Sequence, residues 1–102
     1  MYLLGYDIGS SSVKAALVDA QSLETVGIVN YPETEMDIIA HEVGWAEQHP
    51  EIWWENLQKA TEKLFAEFSV DRSEIKAIGL SYQMHGLVLI DKEQHILRPG
   101  II

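Results

Sequence analysis

The chain of 102 residues contains no cysteine, so neither a disulfide framework nor a thiolate metal site is available to it. Cations are scarce: 7 Lys and Arg stand against 16 Asp and Glu, and the net charge of −9 repels nucleic-acid phosphates and anionic membrane surfaces. Neither is an expected partner. Long hydrophobic runs are missing too, nothing approaching the roughly 20 apolar residues that cross a bilayer. Met1 to Asp7 has no basic stretch ahead of an apolar one and so does not read as a signal peptide; the expected location is cytoplasmic. There is no internal repeat, low-complexity tract or flexible linker. What is present, 47% hydrophobic and 23% charged residues, is the balance of a folded segment of single-domain size.

Tyr2 to Ile8 and Val13 to Asp19 are rich in large apolar residues and are separated by Gly9-Ser10-Ser11-Ser12, which predicts a hairpin with a small-residue loop. Thr25 to Tyr31 follows as a third strand and stops where Pro32 withdraws its backbone donor. Pro32 to His49 has no period and reads as a long loop, with the carboxylates from Glu33 to Glu47 on its solvated face. Pro50 suits a first helical turn, and Trp53, Leu57, Ala60, Leu64 and Phe68 then recur at helical spacing, which predicts a helix with one apolar face. Ile75 to Ser81 is almost continuously apolar, the mark of a strand buried on both faces, and Leu87 to Ile90 reads as another. Asp91 to Gln94 makes a turn, and His95 to Arg98 can return antiparallel. The expected fold is therefore α/β: a three-stranded antiparallel meander, a helix, then further strands. One helix covers one sheet face, and the doubly apolar strands call for cover that these residues do not supply.

Two stretches carry groups suited to chemistry. Asp7 ends a strand and precedes Gly9, Ser10, Ser11, Ser12 and Lys14; such a loop can aim N–H groups and hydroxyls at phosphate oxygens, and the aspartate can hold Mg²⁺ through water. The spacing matches neither common Gly-rich nucleotide motif, and by their chemistry alone these residues favour a polar hairpin turn with a satisfied aspartate. Gln83, Met84 and His85 end a buried strand ahead of Gly86, at the strand edge where open α/β sheets collect ligands; Gln83 and His85 could bond polyol hydroxyls, with Met84 against the carbon skeleton. A core methionine and a capped histidine fit this stretch as well. His41-Glu42 is not a zinc motif, because Trp45 occupies the second ligand's position. His49 and His95 read as surface or turn residues, and Trp45, Trp53 and Trp54 as packing groups.

Together, Tyr6 to Lys14, Gly44-Trp45-Ala46-Glu47-Gln48-His49-Pro50 with Trp53-Trp54, and Gln83 to Asp91 resemble the FGGY carbohydrate kinases in order and spacing, over essentially the whole chain. Within that family, Gln83-Met84-His85-Gly86 is similar to the branch that phosphorylates xylulose. The resemblance implies an actin-like ATPase fold of the ribonuclease-H type, ATP and Mg²⁺ as cofactors, and D-xylulose as the phosphoryl acceptor. It implies that Gly9 to Ser12 and Lys14 face the phosphates, that Asp7 assists the metal, and that Gln83, Met84 and His85 touch the sugar. Tyr82 departs from the small residue usual before this motif. The family's catalytic base and nucleotide-binding second domain lie outside these residues, so residues 1–102 are expected to be a partial N-terminal domain, inactive alone and prone to self-association. A kinase for another sugar such as gluconate, and a noncatalytic nucleotide-binding module of the actin and Hsp70 type, are the alternatives.

Overall fold

A computed structural model describes residues 1–102. Strands β1 (Tyr2–Ile8), β2 (Val13–Asp19) and β3 (Thr25–Tyr31) form the expected antiparallel meander. A two-residue strand, β4 (Glu47–Gln48), precedes helix α1 (Pro50–Phe68); after a 3₁₀ turn at Arg72–Glu74, strand β5 (Ile75–Tyr82) joins β1 in parallel. The sheet order is β3-β2-β1-β5. A small second sheet pairs β4 with β6 (Gly100–Ile101). No helix is long and apolar enough to cross a membrane.

The core follows from the two periodicities. Leu4 and Tyr6 of β1, Val13, Ala15 and Leu17 of β2, and Val29 of β3 alternate onto one sheet face and meet Ala60 and Leu64 of α1. Tyr6 reinforces the docking: the Thr61 hydroxyl donates to Leu57 O (2.7 Å), which leaves it to accept from the Tyr6 hydroxyl (2.5 Å). The helix lies close on β3 because Gly27 has no side chain; a Cβ there would overlap the Phe68 ring. Ser69 ends α1 in the left-handed region (φ 52°), and the N–H of Val70 returns to Phe65 O (3.1 Å).

Three expectations are corrected. β5 is not buried on both faces: every residue after Ile75 is exposed, Ile78 and Leu80 at 61% each. Helix α1 packs chiefly on β2 and β3, and β5 lies at the sheet edge beyond its reach. Leu87 to Ile90 is not a continuous strand; it makes single antiparallel bridges, Leu87 to Ile101 and Ile90 to Ile96, so the hairpin around the Asp91 turn is present without a regular ladder. Glu47 is not on a solvated loop face but is buried, in β4.

Candidate functional site

The β1–β2 loop is held by its carbonyls. Gly9 N–H donates to Ser12 O (3.1 Å), Met36 N–H donates to Ser11 O (2.8 Å), and Gln48 Nε2 donates to Ser10 O (2.6 Å). A Cβ at Gly9 would stand 3.1 Å from Ser12 O, so the closure favours glycine. The N–H groups of Ser10, Ser11 and Ser12 bond nothing in the chain. A short run of unpaired amides flanked by hydroxyls offers donors to an anion. Asp7 alternates with the buried Tyr6 and so projects from the sheet face opposite α1; Lys14 is its register partner on β2 and Ser81 its partner on β5. An exposed carboxylate and an exposed ammonium thus stand below the loop. That donor set fits a phosphate chain with hydrated magnesium: amides and ammonium for the anion, one carboxylate for the ion's water.

Ile8 and Tyr82 are partners in the parallel β1–β5 pair, so both strands end at one sheet edge, about 4.8 Å apart as neighbouring strands are. The Gly9 to Ser12 loop and the Gln83 to Gly86 turn therefore leave side by side. Gly86 N–H closes that turn on Gln83 O (2.9 Å). Met84, at 76% exposure, and His85 stand open, whereas Gln83 Nε2 is buried without a hydrogen-bond partner. Beside it lies a pocket of about 230 Å³ whose lining includes Ile8, Trp53, Tyr82, Gln83, Met84 and Val88.

Reasoning from the sequence missed three residues. Gln48 is buried; besides Ser10 O it reaches Asp37 O (3.3 Å) and accepts from Trp53 Nε1 (2.8 Å). Glu47 is buried against Arg98, Oε2 to Nη2 at 2.7 Å. The one signal was the unbroken Glu47-Gln48 pair just before His49-Pro50 and Trp53. Trp53 is half-buried and hydrogen-bonded, but Trp45 and Trp54 are 51% and 61% exposed and are not packing groups here.

Other groups are bland. His41 and Glu42 are exposed in a bend. Asp91, Glu93 and His95 bring ligand atoms within 4.8 Å of one another, but Asp91 Oδ1 already accepts the N–H groups of Glu93 and His95 (both 2.9 Å), which is the geometry of the turn itself. Beneath the sheet, a groove of about 700 Å³ opens between β5 and α1 among Leu4, Ile78, Leu80, Trp54, Leu57 and Phe65.

Residues 2–102 match the FGGY family of carbohydrate kinases, N-terminal domain. The chain is similar to the xylulose kinase of Escherichia coli (strain K12), 38% identical over 104 residues that cover 100% of this chain and 20% of that protein. It is 33% identical over 101 residues to the xylulose kinase of Bacillus subtilis (strain 168), covering 99% and 19%. Among solved structures, a xylulose ("xyloylose") kinase from Brucella ovis superposes with a TM-score of 0.90 at 40% identity, covering 100% of this chain and 21% of that one. A gluconate kinase from Lactobacillus acidophilus superposes with a TM-score of 0.82 at 28% identity, covering 98% and 19%. The chain thus spans about a fifth of the length of the relatives it matches.

Proposed function

We propose a sugar kinase, starting from the premise that this chain belongs to the FGGY family of carbohydrate kinases and has their actin-like α/β fold. In this reading residues 1–102 are part of the N-terminal domain of a longer, ATP-dependent enzyme that converts D-xylulose to D-xylulose 5-phosphate. The terminal hydroxyl oxygen of the sugar bonds to the γ-phosphorus, the bond to the bridging oxygen of ADP breaks, and the hydroxyl proton passes to a base outside these residues. Phosphoryl transfer is catalysed mainly by positioning and charge neutralisation. The Ser10, Ser11 and Ser12 amides and hydroxyls hold phosphate oxygens, Lys14 offsets their charge, and Asp7 holds the water shell of Mg²⁺. Bound magnesium supplies further neutralisation of phosphate charge. Gln83 Nε2, which a buried state without a partner costs about 1–3 kcal/mol, donates to a sugar hydroxyl. His85 bonds a second hydroxyl, and Met84 lies on the carbon skeleton.

The observation that carries this reading is the Ile8 and Tyr82 register, which sets a loop with three unpaired backbone amides beside a turn with an unpaired side-chain amide. The names of the relatives support xylulose, and the gluconate kinase neighbour keeps gluconate as the second reading. The test is ADP release by the complete polypeptide with ATP, Mg²⁺ and a panel of D-xylulose, gluconate and glycerol. D-xylulose is expected to give the highest kcat/KM; a preference for gluconate selects the second reading, and no turnover with any acceptor rejects the kinase.

A further inference from the structure

We propose that Gln48 is a positioning residue that sets which way the peptide groups of the Gly9 to Ser12 loop face. The loop's own bond, Gly9 N–H to Ser12 O, fixes only the peptide after Ser12, and the serine side chains bond nothing in the chain, so the Ser10–Ser11 and Ser11–Ser12 peptides are oriented from outside it. Gln48 is buried at 3% exposure, and its orientation is unambiguous. An indole N–H can only donate, so Trp53 Nε1 must face Gln48 Oε1 (2.8 Å), which turns Nε2 toward Ser10 O (2.6 Å) and Asp37 O (3.3 Å). In a planar trans peptide the C=O and the following N–H point in opposite directions. Drawing Ser10 O inward onto Gln48 therefore drives Ser11 N–H outward. Met36 N–H does the same at the next peptide: it holds Ser11 O (2.8 Å) and turns Ser12 N–H out. The outward amides are a consequence of two anchors, and only the Gln48 anchor is a side chain.

Gln48 is itself held in place by β4, which pairs with Gly100–Ile101, and by the start of α1 two residues on. Trp53, at the other end of its amide, also lines the pocket beside Gln83. One carboxamide thus ties the loop to the wall of the neighbouring pocket, so the two are held in fixed relation.

This inference rests on the loop being the phosphate site, and the experiment separates the two. In the complete polypeptide, Gln48→Met keeps length and burial but loses every hydrogen bond; the KM for MgATP is expected to rise roughly tenfold while that for the sugar moves less than about twofold. Gln48→Glu keeps the acceptor for Trp53 and, when ionised, sets a carboxylate against two carbonyl oxygens. Its kcat/KM for MgATP relative to the parent should recover as pH falls from about 8 to about 5.5, because the protonated acid regains a donor. Gln48→Met should show no such recovery. Should Gln48→Met fail to fold, Gln48→Glu decides alone: its relative kcat/KM for MgATP is expected to recover on acidification, and a ratio that stays flat from about pH 8 to about pH 5.5 overturns the proposal. Unaltered MgATP kinetics, or loss of thermal stability with neither the KM split nor the pH recovery, overturns the proposal. If the complete polypeptide phosphorylates nothing, crystal structures of the parent and of Gln48→Glu at pH 8 still decide it: the Ser10–Ser11 peptide must reorient, and an unchanged peptide overturns the inference independently of the activity.

Discussion

At the scale of single residues, the strongest electrostatic commitment is the pair of Glu47 and Arg98. The glutamate side chain is 5% exposed and the arginine 42%, so the carboxylate has given up nearly all its hydration for one short contact. Removing the two partners should therefore not be symmetric. Arg98→Met leaves a buried charge unpaired and is expected to cost about 2–3 kcal/mol, less than a fully buried pair because water reaches the arginine side. Glu47→Gln should cost less than that, since a neutral amide can still accept from Arg98. Urea unfolding of both variants checks the order; equal losses would contradict it. Neither residue was legible as a partner: they lie 51 positions apart, and the sequence placed Glu47 among solvated carboxylates.

At the scale of elements, two acidic residues punctuate the chain. Asp19 accepts the N–H of Ser22 (2.8 Å) and of Gln21 (2.9 Å) in the β2–β3 turn, and Asp71 accepts the N–H of Ser73 (2.8 Å) to start the 3₁₀ turn. These hydrogen bonds hold both carboxyls below the ordinary value of 3.8. An acid whose folded pKa is depressed stabilises the fold while ionised. The contribution is complete above the unfolded value of about 3.9 and disappears as pH falls through the lower folded values. An NMR titration should find both midpoints below 3.8. Asp19→Asn should lack this contribution, so it is expected to be less stable than the parent above about pH 5 and to converge on the parent as pH falls through the folded value of Asp19. The elements themselves were readable because their signals are local: alternation in β1 to β3, proline and helical spacing in α1. The hairpin after β5 was only partly readable, because short apolar runs do not say whether a ladder or isolated bridges will form.

At the scale of the molecule, α1 covers part of one sheet face and nothing in the chain covers the rest. Ile28 at 58%, Ile78 and Leu80 at 61% and Leu97 at 61% are exposed, and β5 presents a free edge. Such an edge and such patches template association. Residues 1–102 alone are expected to dimerise or form larger species by light scattering at micromolar concentration and to show no phosphoryl transfer; a monodisperse monomer, or turnover at enzyme-like rates, would contradict these expectations. The apolar character of β5 announced cover without naming what provides it, which is why its burial was misjudged.

Pattern in the chain alone determined that there would be a meander, a helix, a small-residue loop after Asp7 and a polar turn after a hydrophobic strand, because alternation, helical spacing and turn residues act over a few neighbours. Only the tertiary structure decided that the loop and the turn share one edge, through the parallel register of β1 with β5, and that Gln48 would hold Ser10 from 38 residues away. Contacts of that separation are set by how elements pack, and no local run of residues records them.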